Sequence, residues 1–306
     1  MAAVAALLAL LAAFAFVDAA PSASLDASSS VPEAVWFHAE NEWAFLTSWC
    51  ERWEGDRKWM CLDCFSASRK LASRFRIGGY PSVSYDIKND EQQDVTTRSG
   101  FLMLLGLGME LCDCGLLMLQ PPCSLFVGIS QGTHKRSLAR LKGDESFQCV
   151  RLSNIIYANM VVFVLLLQKF RPLVRMVLEQ PTSSWTSKQE TFSVIARGGQ
   201  WQKTLTWLGC FGHDLLKPTH LFGNLPLSKV ARKATAKVKE AHRARMKAKA
   251  KKAKANGKTE KKYYVQKEDG SSHGCKALAE TAVYPSRFVT ALFRAWQIWY
   301  ILTQQA

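Results

Sequence analysis

Leu116-Leu117-Met118-Leu119-Gln120-Pro121-Pro122-Cys123-Ser124 is the stretch whose reading decides the fold. Four apolar residues run into two prolines and a cysteine, the pattern of a short buried strand that stops abruptly. Proline fixes φ and has no N–H to give to a ladder, so the chain leaves the sheet there. Cys123 then lies just past the carboxyl end of a central strand, the edge at which open α/β sheets bind ligands. A cysteine presented at that edge can act as a nucleophile; one buried there is a small inert hydrophobe.

The neighbouring stretches alternate in the same way. Upstream, Trp59–Phe65 reads as a strand, Ser66–Lys70 as a turn, and the residues to about Ile77 as a helix. Gly78-Gly79-Tyr80-Pro81 breaks it, and Ser82–Ile87 is a second strand carrying an acid at its end. Ser99–Leu111 is a helix, although Gly106 and Gly108 weaken it. Downstream, Asn154–Phe170 is apolar and helical, and its continuous apolar run suits a buried helix better than a membrane span. Val174–Pro181 repeats the opening pattern, an apolar strand followed by Glu179-Gln180-Pro181, and Trp201–Leu208 is another strand. Strands alternating with helices imply an α/β fold, a mostly parallel doubly wound sheet with helices on both faces. Pro32–Trp53 reads as an amphipathic helix, with Trp36, Trp43, Leu46, Cys50 and Trp53 on one face.

Charge divides the chain. Of a net +15 over 306 residues, the segment Lys229–Lys262 carries +13, from fifteen Lys or Arg against two Glu. A nearly neutral body therefore bears one very basic segment, suited to nucleic acid or to an anionic membrane surface. Nine cysteines, an odd number in a long chain, argue against a disulfide scaffold. Cys61-x-x-Cys64 and Cys112-x-Cys114 lie in apolar, strand-like stretches, so no metal site is expected. Residues 1–20 are an Ala/Leu/Phe run with a small-x-small sequence at Val17-Asp18-Ala19, read as a signal or targeting segment for the secretory pathway or an organelle. Without that segment's action the nucleus is the expected compartment. The expected organisation is a targeting segment 1–20, a linker 21–31, an α/β domain 32–226, a long basic Lys/Ala helix 227–262, a loop 263–282, and a terminal helix 283–306 packing back on the domain.

Three strand ends meet at one edge in this scheme, and their residues resemble the cytosine-5 DNA methyltransferase family. Asp63-Cys64-Phe65-Ser66-Ala67-Ser68-Arg69 resembles its first motif, D-x-F-x-G-x-G. Asp86 resembles the acid on the cofactor ribose, and Asp94 the acid near the adenine. Gln120-Pro121-Pro122-Cys123 resembles the nucleophile motif G-P-P-C, and Glu179-Gln180-Pro181 the motif whose glutamate holds the target base. Leu208–Gly212 through Lys217-Pro218-Thr219 resembles a later Y-G-x-P-Q-x-R element. The resemblance covers roughly residues 57–225 and implies a class I S-adenosylmethionine-dependent fold. Cys123 and Glu179 would be the catalytic pair, and Asp63, Phe65, Asp86 and Asp94 would surround the cofactor.

The family chemistry needs these residue types. A thiolate adding at C6 turns the cytosine ring into a carbon nucleophile at C5. An acid at N3 supports that charge shift. The base must be flipped out or unpaired to reach such a pocket. The chain also departs from the pattern: Ala67 and Arg69 stand where glycines are expected, Lys217 where an arginine is expected, and Ser124 follows the nucleophile. Two readings stay open. One is a degenerate cytosine-5 methyltransferase-like protein acting on or binding nucleic acid. The other is a non-catalytic polyanion-binding module working through residues 229–262, with Lys247, Lys249, Lys251, Lys252 and Lys254 as phosphate contacts.

Overall fold

The computed structural model describes residues 39–256, 264–266, 272–274 and 283–305. The targeting segment 1–20, the linker 21–31, residues 257–262 of the basic helix and most of the 263–282 loop lie outside the described residues.

The fold is α/β and Rossmann-like. Its strands are β1 (Trp59–Cys64), β2 (Ser82–Tyr85), β3 (Leu111–Leu119), β4 (Arg175–Pro181), β5 (Gln202–Trp207) and β6 (Pro218–Gly223), arranged as β2-β1-β3-β4-β6-β5. The first four of that order run parallel. β6 is antiparallel to both β4 and β5, so the sheet is mixed and mostly parallel, as alternation implied, with the antiparallel pairing confined to β6. The reason is local: β5 and β6 are joined by a connection of ten residues with no helix long enough for a parallel crossover. β6 itself gave no strand signal, because it opens on Pro218 and mixes Thr, His and Gly with two apolar residues.

Helices cover both faces: α1 (Ala39–Glu51), α2 (Lys70–Ile77), α3 (Arg98–Met109), α4 (Gln148–Phe170), α5 (Glu190–Gly198), α6 (Ala236–Ala255) and α7 (Ser286–Gln304). Alternation along the strands divides the core in two. Leu62, Leu117, Leu119, Met176 and Leu178 face α1, α3, α4 and α5. Cys61, Leu116, Met118, Val177 and Leu221 face α2 and α7. By length and composition α4 could cross a bilayer, yet it is packed by α1, α3 and α5 as a core helix. Trp296 of α7 is fully buried among Phe75, Tyr80 and Phe293, and its indole N–H donates to the Cys114 carbonyl.

The basic segment is shorter as a helix than its composition suggested. Leu227, Val230 and Ala234 are buried, Leu227 and Val230 in the α7-side core, and the helix starts only at Ala236. The beginning of the segment is therefore anchored in the body, and α6 projects from that anchor. Residues 264–266 and 272–274 pair as an antiparallel hairpin inside the interval read as loop, and its second strand approaches the Gly128–Ser130 turn.

Candidate active site

β1 and β3 end level, while β4 runs on beside β6 to Pro181. Cys64 pairs with Leu119, and Leu119 with Leu178. The next residues, Phe65, Gln120 and Glu179, therefore stand along one edge. Chain order reverses between β1 and β3, since β2 lies on one side of β1 and β3 on the other. The carboxyl edge at such a switch point is the crevice where open α/β sheets hold ligands.

On the α7 side of that edge four groups converge. Cys123 is half-buried, four residues beyond the end of β3. Burial raises its thiol above the ordinary value; Lys217 pulls it down and Glu179 pushes it up. Glu179 is buried in β4, with the Lys217 ammonium 3.9 Å from its Oε1. The hydroxyl of buried Tyr284, immediately before Pro285 and α7, faces the same carboxylate. Burial and Glu179 together raise that phenol well above its usual range, so it stays a neutral O–H. Neither Glu179 Oε1 nor Tyr284 Oη has a hydrogen-bond partner among the described residues. Buried polar atoms of native proteins are nearly always partnered, so a buried glutamate oxygen without one, beside a cysteine, suits a site that completes its hydrogen bonds with a ligand.

The residues expected around a cofactor stand along the same edge in different states. Asp63 is fully buried beneath the turn: its Oδ2 accepts the Ala72 N–H of α2 and its Oδ1 the Gln120 side-chain N–H. Burial pushes its carboxyl up to about 7, against the lowering effect of those hydrogen bonds and of Ser66 and Leu71. Its position is that of an internal strut for the turn, where the sequence placed it around the cofactor. Phe65 and Arg69 both have left-handed backbones, φ 60° and 51°. Arg69 thus keeps the conformation a glycine adopts freely, at a cost of roughly 1–2 kcal/mol for a side-chain-bearing residue. Its side chain is exposed. Phe65 meets Tyr85 edge-on.

Asp86, just past β2, accepts the Lys88 N–H with one oxygen only. Asp94 is committed to its own loop, where Oδ1 accepts the N–H and hydroxyl of Thr96. Gly100 packs onto that loop so closely that a Cβ would stand 2.0 Å from the Asp94 carbonyl oxygen.

The loop after Cys123 is held from inside by Arg136, which is fully buried. Its guanidinium donates to the Leu125 and Leu141 carbonyls, Ser153 and Asn154, and stacks over Phe126. Its pKa falls to about 10 through burial. Sequence reasoning missed Arg136 and Tyr284. No local pattern marks Arg136; Tyr284 had a signal, an aromatic immediately before the proline that opens a helix packing on the sheet.

Of the five expected phosphate contacts, Lys249 is paired with Asp214. Lys247, Lys251, Lys252 and Lys254 are exposed on α6, away from this edge. Among the described residues no cluster could hold a metal, and Cys61 and Cys64 are buried thiols whose pKa burial raises well above the ordinary value. No family model matches the chain, and no curated protein matches it in sequence.

Proposed function

We propose that the chain is a cytosine-5 methyltransferase-like protein of the class I fold acting on nucleic acid, with Cys123 as nucleophile and Glu179 as the acid at the base. One observation carries the reading: adjacent parallel strands deliver to one edge a cysteine and a buried glutamate whose Oε1 has no hydrogen-bond partner among the described residues, with a lysine acting on both. In the reaction the Cys123 proton passes to Glu179, the thiolate bonds to C6 of an unpaired cytosine, Glu179 gives that proton to N3, and C5 becomes nucleophilic; after methylation, loss of the C5 proton to solvent breaks the C6–S bond, releases the Cys123 thiolate and returns the N3 proton to Glu179. Lys217 stabilises the thiolate before attack, and the Tyr284 O–H supports the glutamate once its proton has left. The turn 65–69 and Asp86 suit S-adenosylmethionine, because the turn retains left-handed backbone at the close-approach position and Asp86 keeps an oxygen for a hydroxyl. When bound, that cofactor would supply the methyl group.

The test is a covalent trap. A single-stranded oligonucleotide containing 5-fluorocytosine is incubated with the full chain and S-adenosylmethionine, then resolved under denaturing conditions. An adduct that maps to Cys123 and is lost in Cys123→Ala supports the reading; a native chain that binds the oligonucleotide without an adduct overturns it. Arg69 favours the second reading, a polyanion-binding module without catalysis. A cation beside a sulfonium is unfavourable, and the chain carries one at the turn.

A further inference from the structure

A cleft of about 990 Å³ opens between α6, α7 and the Gly209–Phe211 turn. Its cations come from three separate places: Lys229, Arg232 and Lys233 before α6, Arg245 on α6, and Arg287 and Arg294 on α7. No Asp or Glu lines it. None of those six cations forms an ion pair with an acid among the described residues. The Arg245 Nε is buried without a partner, while its Nη2 donates to the His213 carbonyl. That bond, the His242 contact to the Asp214 carbonyl and the Lys249–Asp214 pair dock α6 onto the body, so the cleft has two fixed walls.

The floor is apolar, built from Val238, Ala241, Ala291 and Ala295. Arg287 and Arg294 are seven residues apart on one helix, so they share a face about 10 Å from each other. A row of unpaired cations above an apolar floor suits a polymer that alternates phosphates with flat, weakly polar rings. The concave shape favours a strand over a bilayer, whose flat surface would meet only the outer cations of α6.

Two walls of the cleft continue in sequence toward the candidate active site. Its Gly209–Phe211 wall belongs to the β5–β6 connection that carries Lys217. Its Ser286 wall follows Tyr284, the residue facing Glu179. We infer that this cleft is the track for single-stranded nucleic acid, with Arg287 and Arg294 as phosphate contacts, and that it delivers an unpaired base to Cys123. The destination of the base rests on the proposed function; the binding itself does not.

The experiment is fluorescence anisotropy of a labelled, mixed-sequence single strand, as DNA and as RNA, titrated with the full chain carrying Cys123→Ser and no cofactor. Catalytic failure then cannot be mistaken for binding failure. Each phosphate contact to a single strand contributes about 0.7 to the slope of log K against log salt. The Arg287→Ala/Arg294→Ala double variant is expected to lower that slope by about 1.4 and affinity by about tenfold. Arg287→Lys/Arg294→Lys is expected to keep most of both. Lys251→Ala/Lys252→Ala/Lys254→Ala, at the far end of α6, is expected to cost less than the alanine pair. If the lysine triple variant abolishes binding while the arginine pair leaves it intact, the cleft is not the track. Equal binding to phosphatidylserine vesicles, with the same loss in the arginine pair, would identify a lipid-headgroup site and overturn the inference.

Discussion

The Lys217 ammonium stands 3.9 Å from Glu179 Oε1, too far for a hydrogen bond, and that buried oxygen has no hydrogen-bond partner among the described residues. Glu179 and Lys217 act on the Cys123 thiol in opposite senses. Burial sets its baseline above the ordinary value, Lys217 opposes that, and Glu179 adds to it.

Alkylation of Cys123 by iodoacetamide, followed by peptide mass spectrometry across pH, checks the coupling. Lys217→Met should move the midpoint up and slow alkylation at pH 8. Glu179→Gln should move it down and speed alkylation. One pKa unit is about 1.36 kcal/mol, or tenfold in thiolate below the midpoint. A profile unmoved by either change would mean that neither group faces the thiol.

Asp63 should make stability depend on pH. Its folded pKa, about 7, lies above that of an unfolded aspartate, so the native state holds the proton more tightly. The contribution is present below the unfolded value and is lost as pH rises through about 7. Urea unfolding at pH 5 and pH 8 should show a steeper loss on raising pH in the native chain than in Asp63→Asn. Equal slopes would remove Asp63 as the source.

Arg69→Gly should relieve the left-handed backbone at the turn before α2. Relief of roughly 1–2 kcal/mol is offset by the 0.5–1 kcal/mol or so that glycine loses in unfolded-state entropy. A net gain of about 0.5–1 kcal/mol is expected in denaturant midpoints. Calorimetric titration with S-adenosylmethionine should show tighter binding by the variant than by the native chain. Weaker binding would mean that Arg69 belongs to the cofactor site.

Trp296→Ala should be the most damaging single change on the α7 face, by about 3–5 kcal/mol for an aromatic core truncation. It empties the space between Phe75 and Tyr80 and leaves the Cys114 carbonyl without its indole donor. Guanidinium unfolding checks the magnitude. Tyr284→Phe removes the hydroxyl that faces Glu179 and should change stability by about 1 kcal/mol or less.

The central strands were legible because each is a short apolar run closed by Pro or by a small polar turn. Gln120-Pro121 closes β3, whereas β4 continues through Gln180-Pro181 paired with β6. Glu179 and Cys123 followed from that punctuation. β6 was hidden because its place is set by pairing on both flanks, Glu179 with Leu221 and Thr204 with Leu221, and its own side chains have no strand pattern. The basic segment misled for the opposite reason. Its lysine content masked Leu227 and Val230, two apolar residues that anchor it in the core. Arg287 and Arg294 lie 33 residues or more from the last helical lysine of the basic segment and join it only in three dimensions.

Tyr284 reaches Glu179 from the far end of the chain, and the Lys70 ammonium binds its carbonyl across 214 residues. During synthesis the strands bearing Cys123 and Glu179 therefore emerge long before the residue that closes over them. Until Tyr284 and α7 leave the ribosome, the nascent sheet would hold its glutamate open to water. The wall carrying Arg287 and Arg294 would also be missing. Activity at this edge, and its hold on a strand, would thus begin only once the chain has been translated through Gln304.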